Sequence, residues 1–278
     1  MKRPRFTMRF WGVRGTVPCP QPDRLRYGGN TSCIEVCCGD HRLIFDAGTG
    51  LRALGNELLS NEDSRLSHLF FTHTHLDHIA GLPFFRPAYD GKNHFEFWAG
   101  HLGAHGLSLQ NVLKQLMQPP LFPVPLDILH ACVSFHDFPP GDVLEPFPGV
   151  RLRTLALNHP GGATGYRIEF DDQAMCIVTD VEHYGDERDN SIVDFIRGAA
   201  IVVYDCTYTE EEYPRFVGWG HSTWQQGVRL CEAASAGRLV AFHHDPEHDD
   251  AFLDKIAAAM DHARPGSVMA AEGLTLRP

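Results

Sequence analysis

A chain that sets three histidines and an aspartate inside six positions, His73-Thr74-His75-Leu76-Asp77-His78, has few ways to fold around them. Imidazoles packed this closely repel one another once protonated, so such a run calls for a compensating partner, and a cation is the simplest one. The residues ahead, Leu66-Ser67-His68-Leu69-Phe70-Phe71, are apolar and aromatic and predict a buried strand, while Ile79-Ala80-Gly81-Leu82-Pro83 behind them predicts a turn. The run therefore sits on a loop at a strand end. There His73 and His75 can face one point while Asp77 and His78 reach a second, so one turn of chain can address two cations. Imidazole nitrogen with carboxylate oxygen suits zinc, or manganese or iron, better than calcium or magnesium.

The rest of the chain bounds what such a site can serve. With 278 residues and 43% hydrophobic content the chain can bury a large core, and no Ser/Gly-rich or charged linker interrupts it, so a single domain over 1–278 is expected. A formal net charge of -11 argues against broad binding of a phosphate backbone, although a local patch can still receive a small anion. The eight cysteines are scattered, and Cys33, Cys37, Cys176, Cys206 and Cys231 lie in apolar runs where a free thiol packs as a small hydrophobe. A reduced, cytoplasmic setting follows as the expectation. Met1-Lys2-Arg3-Pro4-Arg5 is basic but no apolar segment follows it, and no stretch approaches a membrane span.

Strands are predicted at Thr7–Trp11, Ser32–Cys38, Arg42–Asp46, Phe95–Ala99, Arg151–Leu157, Gly165–Phe170, Met175–Thr179, Ala200–Tyr204 and Arg238–Phe242, with helices from Leu51, over Leu107–Met117 and from about Trp224 to Ala234. Gly28-Gly29-Asn30-Thr31-Ser32 leads into a strand and lacks a following Lys, which makes it weak as a nucleotide loop. Polar residues recur at strand ends. Asp46 stands there to orient a histidine or to cap the following helix. The 73–78 run, His159, Asp180, Asp205 and His243 occupy five further ends that are placed to converge on one edge of a sheet structure.

The run His73-Thr74-His75-Leu76-Asp77-His78 resembles the H-x-H-x-D-H signature of the metallo-β-lactamase fold, and the single His, Asp and His that follow keep that family's order. The resemblance extends from Asp46 to His243. It implies an α/β architecture, a four-layer αββα sandwich of two mixed sheets with outer helices. It also implies that His73, His75 and His159 hold one divalent metal, that Asp77, His78 and His243 hold a second, and that Asp180 bridges them. His244 is the alternative last ligand. Zinc is the expected metal, with manganese or iron next.

The fold hosts several chemistries, so the branch must come from other residues. Gly220-His221-Ser222-Thr223 behind Tyr204-Asp205-Cys206-Thr207-Tyr208 is similar to the pair of motifs in ribonuclease Z-like phosphodiesterases, with Asp205 where that pattern has Glu. Phe10-Trp11-Gly12-Val13-Arg14-Gly15, Tyr27–Ser32, Gly81–Phe85 and Asn158–Gly162 resemble small-molecule hydrolases of the fold, cyclic-phosphate phosphodiesterases among them. The resemblance implies a dinuclear metallohydrolase that activates water against a phosphodiester, with His221 as general acid, Asp205 as its partner and Asp77 counted with them. His-Ser-Thr also suits a helix N-cap. The acidic charge favours a small anionic substrate, a cyclic nucleotide or cyclic phosphate, over precursor transfer RNA, with Arg14, Arg24 and Arg26 as candidates to rim the pocket. A ribonuclease Z-like transfer RNA 3′-processing enzyme and a di-iron oxygen-binding sensor are the alternatives, and a thioesterase or lactamase would have no evident use for His221. A homodimer is compatible with this reading.

Overall fold

Two runs of parallel strands set the position of every candidate residue. The strands are β1 (Phe6–Gly12), β2 (Cys33–Cys38), β3 (His41–Phe45), β4 (Leu66–Phe71), β5 (His94–Ala99), β6 (Cys132–Asp137), β7 (Val143–Phe147), β8 (Val150–Leu157), β9 (Ala163–Phe170), β10 (Gln173–Val178), β11 (Ile201–Asp205), β12 (Arg238–Phe242), β13 (Val268–Met269) and β14 (Thr275–Leu276). The α-helices are α1 (Leu51–Asn61), α2 (Leu76–Ile79), α3 (Leu109–Leu116), α4 (Asn190–Ile196), α5 (Trp224–Ala233) and α6 (Asp250–Ala263). These come from a computed structural model that describes residues 6–61, 66–183 and 189–278. The basic stretch Met1–Arg5 lies outside them.

The strands pair in two sheets, ordered β14-β1-β2-β3-β4-β5-β6 and β13-β12-β11-β10-β9-β8-β7. Within the first, β3 to β6 run parallel; within the second, β10 to β13 do. Apolar side chains fill three layers. Phe10, Phe45 and Phe70 meet Leu152, Tyr166 and Phe242 between the sheets. Leu51, Leu54, Leu109 and Leu113 cover the outer face of the first sheet from α1 and α3. Ile192, Leu230, Cys231, Leu253 and Met260 cover the second from α4, α5 and α6. The result is the αββα sandwich, and both sheets are mixed as expected.

Parallel strands end on the same edge, which is why polar residues scattered along the sequence collect there. Asp46 follows β3, the 73–78 run follows β4, His101 follows β5, His159 follows β8, Asp180 follows β10, Asp205 ends β11 and His243 follows β12. The strands β6, β7, β13 and β14, absent from the sequence-based expectation, are the sheet edges. β6 is only partly buried along its length, and β7 contains Pro146 beside a register shift, so neither has the continuous apolar run of an inner strand. Helix α3 is shorter than expected because Ser108 caps it, its side chain accepting from the Asn111 amide. Cys33, Cys176, Cys206 and Cys231 are buried in the packing layers, while Cys37 is half-buried. Among the described residues no helix is long and apolar enough to cross a membrane.

Candidate metal centre and active site

The strand ends, with α2 carrying Asp77 and His78, bring the nine candidate residues into one cluster, buried except for the exposed His75 and the half-buried His221. The ring nitrogens of His73, His75 and His159 lie within 4.8 Å of one another, and so do ligand atoms of Asp77, His78 and His243. Between these triads stands Asp180. Its Oδ1 is 3.8 Å from His73 Nε2, 3.9 Å from His159 Nε2 and 3.2 Å from His243 Nε2, and its Oδ2 is 3.4 Å from His78 Nε2. Asp77 Oδ2 sits 3.2 Å from His243 Nε2 and also accepts from the Thr16 amide at 2.7 Å.

The electrostatics are those of a site built for cations. Burial alone would raise the Asp180 carboxyl, but the facing His243, His78 and His73 outweigh it and hold it well below the usual carboxylate range. Burial pushes His73 well down, helped by the neighbouring His78 and His159. For His243 the order reverses: burial opposes the charge, yet Asp180 and Asp77 lift the imidazole to about 9. His73 Nε2 is buried without a hydrogen-bond partner, an arrangement that leaves a ring nitrogen uncompensated unless something binds it. Nitrogen and carboxylate donors at these separations fit two first-row divalent ions.

Each ring is oriented by its other nitrogen. His78 Nδ1 donates to Asp46 Oδ2 at 2.8 Å, and Asp46 is itself held by Ser32 and by the amide and hydroxyl of Thr72. Its side chain thus serves a histidine, the first of the two roles expected of it. His159 Nδ1 donates to the Gly220 carbonyl at 2.8 Å, His243 Nδ1 lies 3.1 Å from Thr207 Oγ1, and His73 Nδ1 lies 3.2 Å from Thr72 Oγ1. His75 alone turns Nδ1 inward, 3.1 Å from His159 Nε2. Thr72, Thr207 and Gly220 were not singled out from the sequence. Their signal was faint: a Thr directly before His73, and a Thr two residues after Asp205.

His244 points elsewhere. Its Nε2 donates to the Ala270 carbonyl at 2.8 Å and its ring meets Tyr27 edge-on, so His243 occupies the position for which the two were alternatives.

His221 lies on the flank of the cluster. Its Nδ1 donates to Asp205 Oδ2 at 2.9 Å, and its ring centroid is 4.8 Å from that of His243 and 5.4 Å from that of His159. Asp205 is wholly buried. Burial raises it, but the His221 charge and hydrogen bond prevail and keep the carboxyl below its ordinary value. The residues Asp180, Asp205, His221 and His243 also form a grouping close enough to hold an ion, which offers a second way to read His221. The helix cap expected near it is made by Thr223, whose hydroxyl accepts from the Gln226 amide.

Glu182 lies two residues behind Asp180 in the sequence. Its carboxylate accepts from the Gly218 amide at 2.6 Å, from the Gly220 amide at 2.8 Å and from the Tyr213 hydroxyl at 3.2 Å, so it moors the loop that presents His221. Gly220 is required there: at φ +88° a β-carbon would stand 2.3 Å from His159 Nδ1.

The three arginines proposed as a rim take other parts. Arg14 is completely buried, its guanidinium donating to the carbonyls of Gly28, Arg24, Asp245 and His248, so it ties loops together instead of facing substrate. Arg24 donates to the Pro246 and Glu247 carbonyls, and Arg26 pairs with Asp254 on α6. A Gly/Pro-rich loop carrying arginines reads alike from sequence whether it faces ligand or backbone.

Residues 41–244 match the β-lactamase superfamily domain. The chain belongs to that superfamily. Among curated proteins it is similar to a ribonuclease Z of Haloarcula marismortui, 23% identical over an alignment that covers 98% of this chain and 97% of the relative. Among solved structures it is similar to the metallo-β-lactamase fold protein YhfI from Bacillus subtilis, with a TM-score of 0.72 at 18% identity, covering 98% of each chain. A diphosphatase from the PhnP family superposes with a TM-score of 0.70 at 17% identity, covering 99% of this chain and 98% of that one. The superfamily thus accounts for the sandwich and for the clustering of histidines at its edge.

Proposed function

We propose that this superfamily member is a metal-dependent phosphodiesterase acting on a small phosphodiester, a cyclic nucleotide or other cyclic phosphate. The observation that carries the reading is the Asp205–His221 pair at 2.9 Å on the flank of two N/O triads that share Asp180. In this reading His73, His75 and His159 hold one divalent ion, Asp77, His78 and His243 the other, and Asp180 both. Bound there, the two ions supply activation of water and neutralisation of phosphate charge. Water that has given up one proton to solvent bonds through oxygen to phosphorus as the ester P–O bond breaks. The departing oxygen takes a proton from His221 Nε2, and solvent then reprotonates the ring. Asp205 holds the opposite nitrogen, which fixes the ring's orientation and stabilises its charged form before transfer. Glu182 keeps the His221 loop in register with His159. A thioester or lactam gives this acid no comparable task, which supports a phosphodiester.

The curated relatives named ribonuclease Z favour a second reading, cleavage of an RNA 3′ end. Against it stands the charge of -11, which raises the cost of approach for a polyanion. The protein loaded with zinc, manganese or iron should therefore hydrolyse small cyclic phosphodiesters with a higher kcat/KM than precursor transfer RNA. Efficient 3′-end cleavage at physiological salt without turnover of cyclic phosphates would promote the ribonuclease reading.

A further inference from the structure

A cavity of about 530 Å³ is walled by neighbours of the metal-candidate cluster, and its lining does not include His221. Its walls come from the loops after β5 and β6 and from β8 and β9. His101, Gly103, Phe138, Ala156, Leu157 and Gly162 form the lining that matters here, and it is apolar almost throughout. Two of these walls are continuations of the metal-candidate motifs. The His101 ring lies 3.1 Å from the hydroxyl of Thr74, which stands between His73 and His75, and the Gly162 amide donates to the His159 carbonyl at 2.8 Å. His159 neighbours both the cavity wall, through Gly162, and His221, whose ring centroid is 5.4 Å from its own.

That arrangement divides a phosphodiester into three parts. Its charged phosphoryl oxygens belong at the nitrogen and carboxylate donors, which offer nothing to an apolar group. The ester oxygen that departs belongs at His221, because that is where the proton is. The substituent that stays on phosphorus is then left to the apolar cavity beyond His101 and Gly162, whose volume falls in the range of small-molecule sites. A concave apolar surface next to a polar cluster gains most from a ligand that is charged at one end and apolar at the other.

We propose that this cavity is a subsite for the ester substituent retained on phosphorus, and that it selects an apolar, ring-sized group. The inference rests on the phosphodiesterase reading and adds what determines preference. In a cyclic phosphate the departing and retained oxygens belong to one organic group, and the cavity takes the part of that group beyond the retained oxygen. Ala156 is exposed on β8, and a β-carbon at Gly103 meets no atom within 4 Å, so Ala156→Phe and Gly103→Leu can fill the space from two directions without a backbone clash.

The test uses p-nitrophenyl phosphodiesters that share a leaving group and differ in the retained one: methyl, phenyl or thymidine. The metal-loaded wild type should prefer phenyl to methyl by at least about tenfold in kcat/KM, the scale on which an apolar pocket discriminates. In each variant the ratio should fall toward one. The thymidine ester separates a nucleoside-sized preference from one for a simple aryl ring. A wild-type ratio near one, or a ratio unchanged in both variants, overturns the proposal. If the wild type turns over none of the esters, the phosphodiesterase reading falls and the cavity is judged by calorimetric binding of phenylphosphonate against methylphosphonate. Tighter phenyl binding that Ala156→Phe abolishes supports the subsite, and equal affinities sink it.

Discussion

Replacing His221 with alanine separates an acid from a ligand. The structure bounds the cost to folding first. Asp205 loses one hydrogen bond, yet it keeps donors from the Val181, Thr207 and Ser222 amides and from the Thr207 hydroxyl, so its buried charge stays compensated. The destabilisation should stay near that of one charge-assisted hydrogen bond, about 1.5–3 kcal/mol, and the variant should fold. The rate should fall far more. Loss of a positioned acid costs roughly 10²- to 10⁴-fold when the departing oxygen is an alkoxide, and less than about tenfold when it is p-nitrophenolate, which leaves without help. The assay is kcat for paired alkyl and nitrophenyl diesters, with bound metal measured on the same samples. Equal losses for both esters would refute the acid role. Loss of a metal equivalent would instead make His221 a ligand, as its grouping with Asp180, Asp205 and His243 allows.

Asp180→Ala should lose at least one equivalent of metal and nearly all hydrolysis, because the Asp180 carboxylate lies within 4 Å of ring nitrogens from both triads; full occupancy by metal analysis would remove it from the site. Gly220→Ala should lower both metal affinity and kcat, since the clash with His159 Nδ1 and the strain at φ +88° displace a metal candidate and the acid loop together; unaltered kinetics would show that the loop yields. Burial of His68 against Phe70, Trp98 and Phe147 pushes its imidazole down to about 4, below the unfolded value near 6.5. The folded state then stays neutral while the unfolded chain gains a proton, so this contribution is intact above the unfolded pKa and is lost as pH falls toward 4. Denaturant titrations should show His68→Gln removing about 2 kcal/mol of the stability lost between pH 7 and 5, and an unchanged slope would count against His68 as the source.

The site was legible to the extent that its chemistry is written in local spacing. The 73–78 run, Asp180, Asp205 and His243 each follow or end a strand of a parallel run whose apolar residues are readable, and His159 follows β8; His221 was legible from the Gly220-His221-Ser222-Thr223 motif ahead of α5. What supports them was less visible. Thr72, Thr207, the Gly220 carbonyl and Glu182 act through hydrogen bonds across 1 to 61 residues of sequence, and no periodicity marks such contacts. Arg14 misled for the opposite reason. A guanidinium buried against four carbonyls has the composition of an anion site, and only its surroundings distinguish the two. The edge strands β6 and β7 escaped because each is short and mixes polar or breaking residues, Ser134, His136 and Asp137 in one and Glu145 and Pro146 in the other, with its apolar ones.

The backbone at the site is itself under constraint. Thr16, Asp46, Asp180 and His243 adopt φ of 64°, 64°, 58° and 61°, in the left-handed region that non-glycine residues seldom enter, and a β-branched Thr enters least readily. Such conformations cost about 1–3 kcal/mol each and persist where surrounding contacts over-determine them. The contacts are present: the Thr16 amide donates to Asp77, Asp46 holds Thr72 and His78, and the Thr207 hydroxyl donates to the His243 carbonyl. The sharp turn at each strand end aims the side chain back over the sheet edge, where a relaxed extended residue would carry it along the strand. Strain at these positions therefore has the same origin as the convergence of the donors. A change that removes one of the restraining hydrogen bonds acts on the donor geometry through the backbone, even when it leaves every candidate ligand in the sequence untouched.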